Sequence, residues 1–292
     1  MFSLDKSFIS KDTNETLHSE IGETQVRPYK IPENETKWVA KIIPVPNDKL
    51  LIKSFQEIVL GFTCKHEGIL PLESYFIEKE ALGGYKIYLK FPRMKESYED
   101  KLRRAIQNKT FFLEKEIIKD LYSLVCSIDY LHGKDVAHRN IKPSNILFDE
   151  QGSVKLTDIG VAKYVPPNFP EIVGKNKKEI CPYIAPEMSN IGSLLFEGDL
   201  YKGDIWSLGM VFAEACLLQR GFGQKNVKEK VLYLKSELKK LDGYYGEKLL
   251  ALLSRMLELD PIKRIALHEI KTILEDNYNE ILVKFICIFL RL

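Results

Sequence analysis

The sequence contains little cysteine, and its cysteines stand far apart. Five occur among 292 residues. None forms a C-x-x-C pair, so the spacing predicts neither a zinc site nor a disulfide framework. Such scattered usage is typical of a reducing compartment, and we therefore expect a cytoplasmic or nuclear location.

Long hydrophobic runs and a strong net charge are also missing. No stretch reaches the roughly 18 apolar residues that a membrane-spanning helix needs, and residues 1–20 lack the apolar core of a secretory signal. The net charge of +2 gives no reason to expect a nucleic-acid partner. Residues 281–292 are mostly apolar. We expect them to pack on the domain or on a protein partner, with membrane-surface contact as the alternative.

The hydrophobic pattern divides the chain into two parts. The first ninety or so residues predict strands and one helix, and the remainder predicts mainly helices. The predicted strands are Lys37–Val45, Tyr85–Phe91, Ile146–Phe148 and Val154–Leu156, and the predicted helices are Lys49–Phe62, Glu116–His132, Asp204–Leu218 and Lys248–Leu257. The pattern indicates an α+β fold with a β-rich first part and a helical second part.

Five short motifs follow one another in the order of a known family. They are Val39-Ala40-Lys41, His138-Arg139-Asn140-Ile141-Lys142-Pro143-Ser144-Asn145, Asp158-Ile159-Gly160, Ala185-Pro186-Glu187 and Asp204-Ile205-Trp206. Together they resemble the eukaryotic protein kinases, and the K-P-x-N form of the second motif resembles the serine/threonine branch. The resemblance implies the two-lobed kinase fold. We expect an N-terminal extension at 1–17, a small lobe at 18–94, a large lobe at 95–280 and an apolar tail at 281–292.

The same resemblance implies a site for ATP and Mg²⁺. Lys41 would hold the α- and β-phosphates and Glu57 would pair with it, although a solvated helix face is the alternative for Glu57. Asn145 and Asp158 would bind magnesium, and Lys142 would stabilise the transferring phosphoryl group. The remaining implied roles are nucleotide contacts for Ala40 and Val26 and a structural ion pair between Glu187 and Arg264.

The first departure from the family pattern is Asn140, which stands where the family has its catalytic aspartate. That aspartate accepts the proton of the substrate hydroxyl. A neutral amide cannot act as this base, and its NH₂ group can present a donor to the hydroxyl instead. We therefore expect phosphoryl transfer to be strongly impaired.

The second departure is the missing glycine-rich loop. Residues 1–60 contain one glycine, Gly22, and without gaps Ser19, Ile21 and Thr24 stand where the family has three glycines. Only glycine lets the backbone cover the phosphates closely, so we expect weakened ATP binding. A tolerated variant loop is the alternative.

The third departure is the segment between Asp158 and Glu187, which contains no serine or threonine. Ile180 stands where the family has a threonine that contacts the catalytic aspartate, and isoleucine cannot donate that hydrogen bond. Only Tyr164 and Tyr183 could carry a phosphate there. A single introduced mutation could explain Asn140 but not Ile180 as well, which favours natural loss of the site.

Two further positions are interpreted from the same resemblance. Ile159 replaces the phenylalanine of the D-F-G motif and should preserve apolar packing. Phe91 is a candidate gatekeeper at the start of a hinge near Phe91–Met94.

Three functions remain open at this point. The first is a regulatory pseudokinase that binds nucleotide and is recognised by protein partners. The second is a slow but active serine/threonine kinase. The third is a nucleotide-free scaffold that uses the apolar tail or residues 192–202 as a contact surface.

Overall fold

The computed structural model describes residues 15–19, 22–29, 37–81, 83–159, 163–164, 182–188, 199–220 and 227–276. The chain divides into two compact units. The first comprises Met1–Lys95 and Phe148–Val161, and the second comprises Glu96–Leu147 and Ala162–Leu292. Several predictions fall outside the described residues, namely those for most of 1–17, for Ile180, for 192–198 and for 281–292.

The first unit contains a five-stranded antiparallel sheet and one long helix. Its strands are β1 (Glu15–Ser19), β2 (Gly22–Tyr29), β3 (Trp38–Val45), β4 (Ser74–Lys79) and β5 (Tyr85–Pro92), and its helix is α1 (Asp48–Thr63). The spatial order of the strands is β1-β2-β3-β5-β4. The central strands β3 and β5 pair along their whole length, from Trp38 opposite Pro92 to Val45 opposite Tyr85.

Alternation along β5 explains how this sheet buries one face. Ile87, Leu89 and Phe91 are buried, whereas the residues between them are partly exposed. This period of two is what a half-buried strand requires. Helix α1 packs on β3 and reaches Leu72 at Gly61, where an added Cβ would lie 2.8 Å from the Leu72 Cβ.

The second unit is mainly helical. Its helices are α2 (Tyr98–Asn108), α3 (Glu114–His132), α4 (Leu200–Leu217), α5 (Val227–Lys239), α6 (Glu247–Met256) and α7 (267–276). Helix α4 is buried on nearly every side and contacts α3, α5 and α6. Gly209 lets α4 and α6 approach, because a Cβ there would lie 2.9 Å from the Met256 Cβ. None of the helices within the described residues is both long and apolar enough to cross a bilayer.

Five short strands complete the described chain. They are β6 (Glu96–Ser97), β7 (Val136–Ala137), β8 (Ile146–Phe148), β9 (Val154–Leu156) and β10 (Lys163–Tyr164). The stretch around β9 belongs to the first unit, whereas the expected lobe boundaries placed it in the second. The reason is backbone pairing: Leu156 donates its N–H to the carbonyl of Gly68 at 2.8 Å, and Leu70 donates to the carbonyl of Leu156 at 2.9 Å.

Candidate active site

Three charged side chains of the first unit meet at one point. The Lys41 Nζ lies 2.7 Å from a carboxylate oxygen of Glu57 and 2.7 Å from one of Asp158. Strand β3 supplies the lysine, α1 supplies the glutamate, and the stretch after β9 supplies the aspartate. The sequence predicted the pair of Lys41 with Glu57, so the solvated-face alternative for Glu57 is wrong. It did not predict the second contact, with Asp158.

Burial and charge act against each other in this cluster. Burial disfavours the charged ammonium of Lys41, but the neighbouring charges of Asp158 and Glu57 outweigh it and raise the lysine pKa. For Glu57, burial is the largest effect and raises the carboxyl pKa. The nearby Lys41 opposes that rise and Asp158 adds to it. Lys41 is therefore a permanent cation between two carboxylates.

The backbone at Asp158 is strained. Its φ angle of +66° lies in the left-handed region, which residues other than glycine rarely occupy. Such conformations persist where the surrounding structure enforces them, and they are concentrated at functional sites. This conformation places the Asp158 carboxylate beside Lys41.

The two faces of β3 separate two of the predicted nucleotide contacts. Successive residues of a strand point to opposite faces, so Ala40 lies on the face opposite Lys41 and Val39 lies on the same face. Val39 is therefore the residue of this motif on the face of the lysine, and the nucleotide contact expected of Ala40 stays a prediction. Val26 is the register partner of Lys41 in β2, and its nucleotide contact stays a prediction.

Phe91 lines a small cleft next to the charged cluster. It lies near the end of β5 opposite Val39 and is 9% exposed. The lining of the cleft includes Glu57, Gly61, Leu70, Phe91, Asp158 and Ile159. Ile159 is buried here, in agreement with the expected apolar packing.

In the second unit, Asn140 lies in a loop fixed by local hydrogen bonds. The Asn145 side-chain amide donates to the main-chain carbonyl of Asn140 at 2.8 Å, and the Asn140 N–H donates to His138 Nδ1 at 3.2 Å. Lys142 precedes a single 3₁₀ turn, Pro143–Asn145. These hydrogen bonds hold the loop in one geometry, and Asn140 is half-buried within it.

A buried carboxylate anchors this loop from α4. Asp204 accepts hydrogen bonds from the main-chain N–H groups of His138 and Arg139, each at 2.8 Å, and lies 2.9 Å from His132 Nε2. Burial favours the neutral acid, but these hydrogen bonds and the charges of the two histidines together lower the pKa of Asp204. Sequence reasoning missed this anchoring role, and the D-x-W motif was its only signal.

Two buried polar pairs stabilise the segment around Glu187. Arg264 donates to the two carboxylate oxygens of Glu187 at 2.7 and 3.0 Å, which confirms the predicted structural ion pair. Tyr183 is 8% exposed and donates its hydroxyl to Glu214 at 2.7 Å. A hydroxyl held in this way cannot receive a phosphate, so Tyr183 is withdrawn as a phosphate carrier.

The strained aspartate, the paired lysine and the anchored loop define the class of protein: a two-lobed kinase-type domain. The chain belongs to the protein kinase family, because the model of the protein kinase domain matches residues 20–278. Members of this family generally use ATP and Mg²⁺.

Several curated proteins resemble the chain. Developmentally-regulated protein kinase 1 of Dictyostelium discoideum is 33% identical over 49% of the chain and 19% of its own length. Serine/threonine-protein kinase RIM11/MSD1 of Saccharomyces cerevisiae is 32% identical over 67% of the chain and 54% of its own length. An Aurora kinase of Schizosaccharomyces pombe is 27% identical over 84% and 66%, respectively. The chain thus corresponds to only part of each relative.

Proposed function

We propose that this domain is a pseudokinase of the serine/threonine type: it binds Mg-ATP, transfers phosphate to protein hydroxyls very poorly, and acts through protein partners. The observation that carries the proposal is Asn140. Its loop keeps the bonds to His138 and Asn145, yet its side chain has no carboxylate. We place its action in the cytoplasm or the nucleus.

The loss of the carboxylate removes a definite part of the catalysis. General-base help is typically worth about 10²–10⁴ in rate. A kinase that turns over at about 1–100 per second would fall to about 1 per second at best and 10⁻⁴ per second at worst. Lys142 is retained and can still stabilise the transferring group, so the slow active kinase is the second candidate.

Retention of the clamp supports nucleotide binding. Lys41 already pairs with Glu57, as a lysine that is to hold phosphates should. Among the described residues no group of three histidine, cysteine, aspartate or glutamate side chains could hold a metal. From the family resemblance we propose that Asp158 binds magnesium with phosphate oxygens of ATP, and that Asn145 is also a magnesium ligand.

The hairpin of β1 and β2 is the main argument for the scaffold alternative. Its strands pair up to Ser19 opposite Gly22, and Gly22 is its only glycine. A hairpin with so little glycine should cover the phosphates poorly. The pseudokinase and the scaffold therefore differ in one property, which is affinity for Mg-ATP.

A thermal-shift measurement tests this property. Mg-ATP at about 100 times its Kd should raise the free energy of unfolding by about 2.7 kcal/mol. The Tm should then rise by several degrees. In Lys41→Met, Mg-ATP should no longer raise the Tm. In the control Lys86→Met, Mg-ATP should still raise the Tm, because Lys86 pairs with Glu80 at an exposed site of β5. A wild-type chain whose Tm is unchanged at millimolar Mg-ATP would favour the scaffold.

A further inference from the structure

An exposed apolar surface lies where two loops of the second unit meet. Phe111 and Leu113, from the loop between α2 and α3, lie beside Tyr244, from the loop between α5 and α6. The rings of Phe111 and Tyr244 are 4.8 Å apart, while Leu113 is 54% exposed and Tyr244 is 53% exposed. We call these three residues the 111–244 patch.

The 111–244 patch is held in place from below. Phe112 and Tyr245 are buried beneath it, and the Tyr245 hydroxyl donates to the Phe112 carbonyl at 3.0 Å. The Gly246 N–H donates to the Glu114 carboxylate at 2.9 Å. Both loops are thus tied to each other, so large apolar side chains are displayed on a prearranged surface.

Helix α7 runs antiparallel to α3 and ends towards this patch. In the middle of α7, Lys271 pairs with Asp129 at 2.8 Å, and near the end of α7, Glu275 accepts a hydrogen bond from Tyr122 at 2.9 Å. Because Tyr122 precedes Asp129 in α3, α7 leads the chain towards the N-terminal end of α3, where Leu113 lies.

The chain after α7 is long enough to reach the patch. At 1.5 Å per helical residue, Tyr122 lies about 12 Å from the first residue of α3. Residues 277–280 can span up to about 14 Å, so the apolar residues can begin at the patch. The exposed charges around the patch are of both signs, with Glu116 and Glu247 next to Lys115 and Lys248.

We propose that residues 281–292 of this chain dock on the 111–244 patch and cover Leu113 and Tyr244. The direction of α7, the length of the connection and the apolar character of both surfaces favour this occupant over a second copy, a foreign protein or a membrane. The docked segment would bury the two most exposed apolar residues of these loops.

Disulfide trapping with the native Cys287 tests the proposal. Leu113→Cys should form an intrachain disulfide with Cys287 under mild oxidation, read by peptide mass spectrometry. The matched control is Ile262→Cys, which is 89% exposed and precedes α7, at the end away from the segment. Since docking raises the effective concentration of the two thiols, the Leu113→Cys bond should form at least about tenfold faster.

Hydrogen exchange gives a second readout without new cysteines. Amides of residues 110–113 and 243–246 should exchange several-fold faster in a chain ended at residue 279 than in the full chain. Equal trapping rates at positions 113 and 262, or disulfides formed only between two chains, would overturn the proposal. Exchange rates that do not change after truncation would also overturn it. So would binding of residues 281–292 to anionic vesicles in a Leu113→Cys chain whose position 113 forms no disulfide with Cys287.

Discussion

Lys41 carries one positive charge between two carboxylates, and this arrangement makes the lysine a stabilising residue of the first unit. Glu57 is 9% exposed and Asp158 is 29% exposed at the side chain. An uncompensated carboxylate in such a place is costly, because burial removes its hydration.

We therefore expect Lys41→Met to lower the free energy of unfolding by about 3–5 kcal/mol, as when one partner of a buried pair is removed. Adding Glu57→Met should restore part of this loss, since it removes a carboxylate that the first change left unpaired. Urea unfolding of both variants measures the two effects.

The matched control is Lys86→Met, whose exposed pair with Glu80 should be worth at most about 1 kcal/mol. Losses that simply add in the Lys41→Met/Glu57→Met double variant would argue against the coupling of these residues.

Some of the residue-level site could be predicted and some could not. The sixteen-residue spacing in the family pattern was enough to pair Lys41 with Glu57. The contact of Lys41 with Asp158 depends on a left-handed backbone at Asp158, which no sequence pattern specified.

At the scale of elements, α2 and α3 are joined by a buried acid. Asp120 of α3 is 5% exposed, and its nearest cation is Lys101 of α2 at 3.6 Å. Burial raises the pKa of Asp120 to about 6, partly opposed by Lys101 and Lys119 and aided by Glu116. The ionised acid is therefore disfavoured in the folded state.

The pH dependence of stability follows from this shift. The folded state binds the Asp120 proton more tightly than the unfolded state does. Asp120 therefore contributes fully to the free energy of unfolding below about pH 4, and this contribution is lost as the pH rises through about 6. Between pH 4.5 and 7.5, the free energy of unfolding of wild type should fall by about 2 kcal/mol relative to that of Asp120→Asn. Denaturant unfolding at both pH values measures this difference.

The comparison uses Asp129→Asn as its control, since Asp129 lies in the same helix with a partly exposed pair to Lys271. The lowered pKa of Asp204 changes stability with pH in the opposite direction. Because all the chains share Asp204, its effect cancels when their free energies of unfolding are subtracted. Parallel stability curves for wild type and Asp120→Asn would rule out the proposed linkage.

Elements with a clear apolar stripe could be predicted, and charged ones could not. Helices α1, α3, α4 and α6 match predicted helices to within a few residues at most ends. Helix α2 was missed because it buries only Tyr98 and Leu102, too few for a periodic signal. Its capping box, Ser97 with Asp100, was the signal that could have revealed it.

At the scale of the whole molecule, the order of the motifs was sufficient to predict the family and the two-lobed α+β fold. Each motif reflects a requirement of phosphoryl transfer, so their sequence constrains the fold more than composition does. Substrates and partners could not be predicted in the same way, because they depend on surface features that vary freely on one fold.

The central claim is that Asn140 leaves the incoming hydroxyl without a base. The most direct measurement is the initial rate of phosphate transfer from Mg-ATP to a generic protein substrate, by wild type and by Asn140→Asp. The account predicts an increase of about 10²–10⁴ for Asn140→Asp. A wild-type rate of about 1–100 per second that Asn140→Asp does not exceed would contradict it.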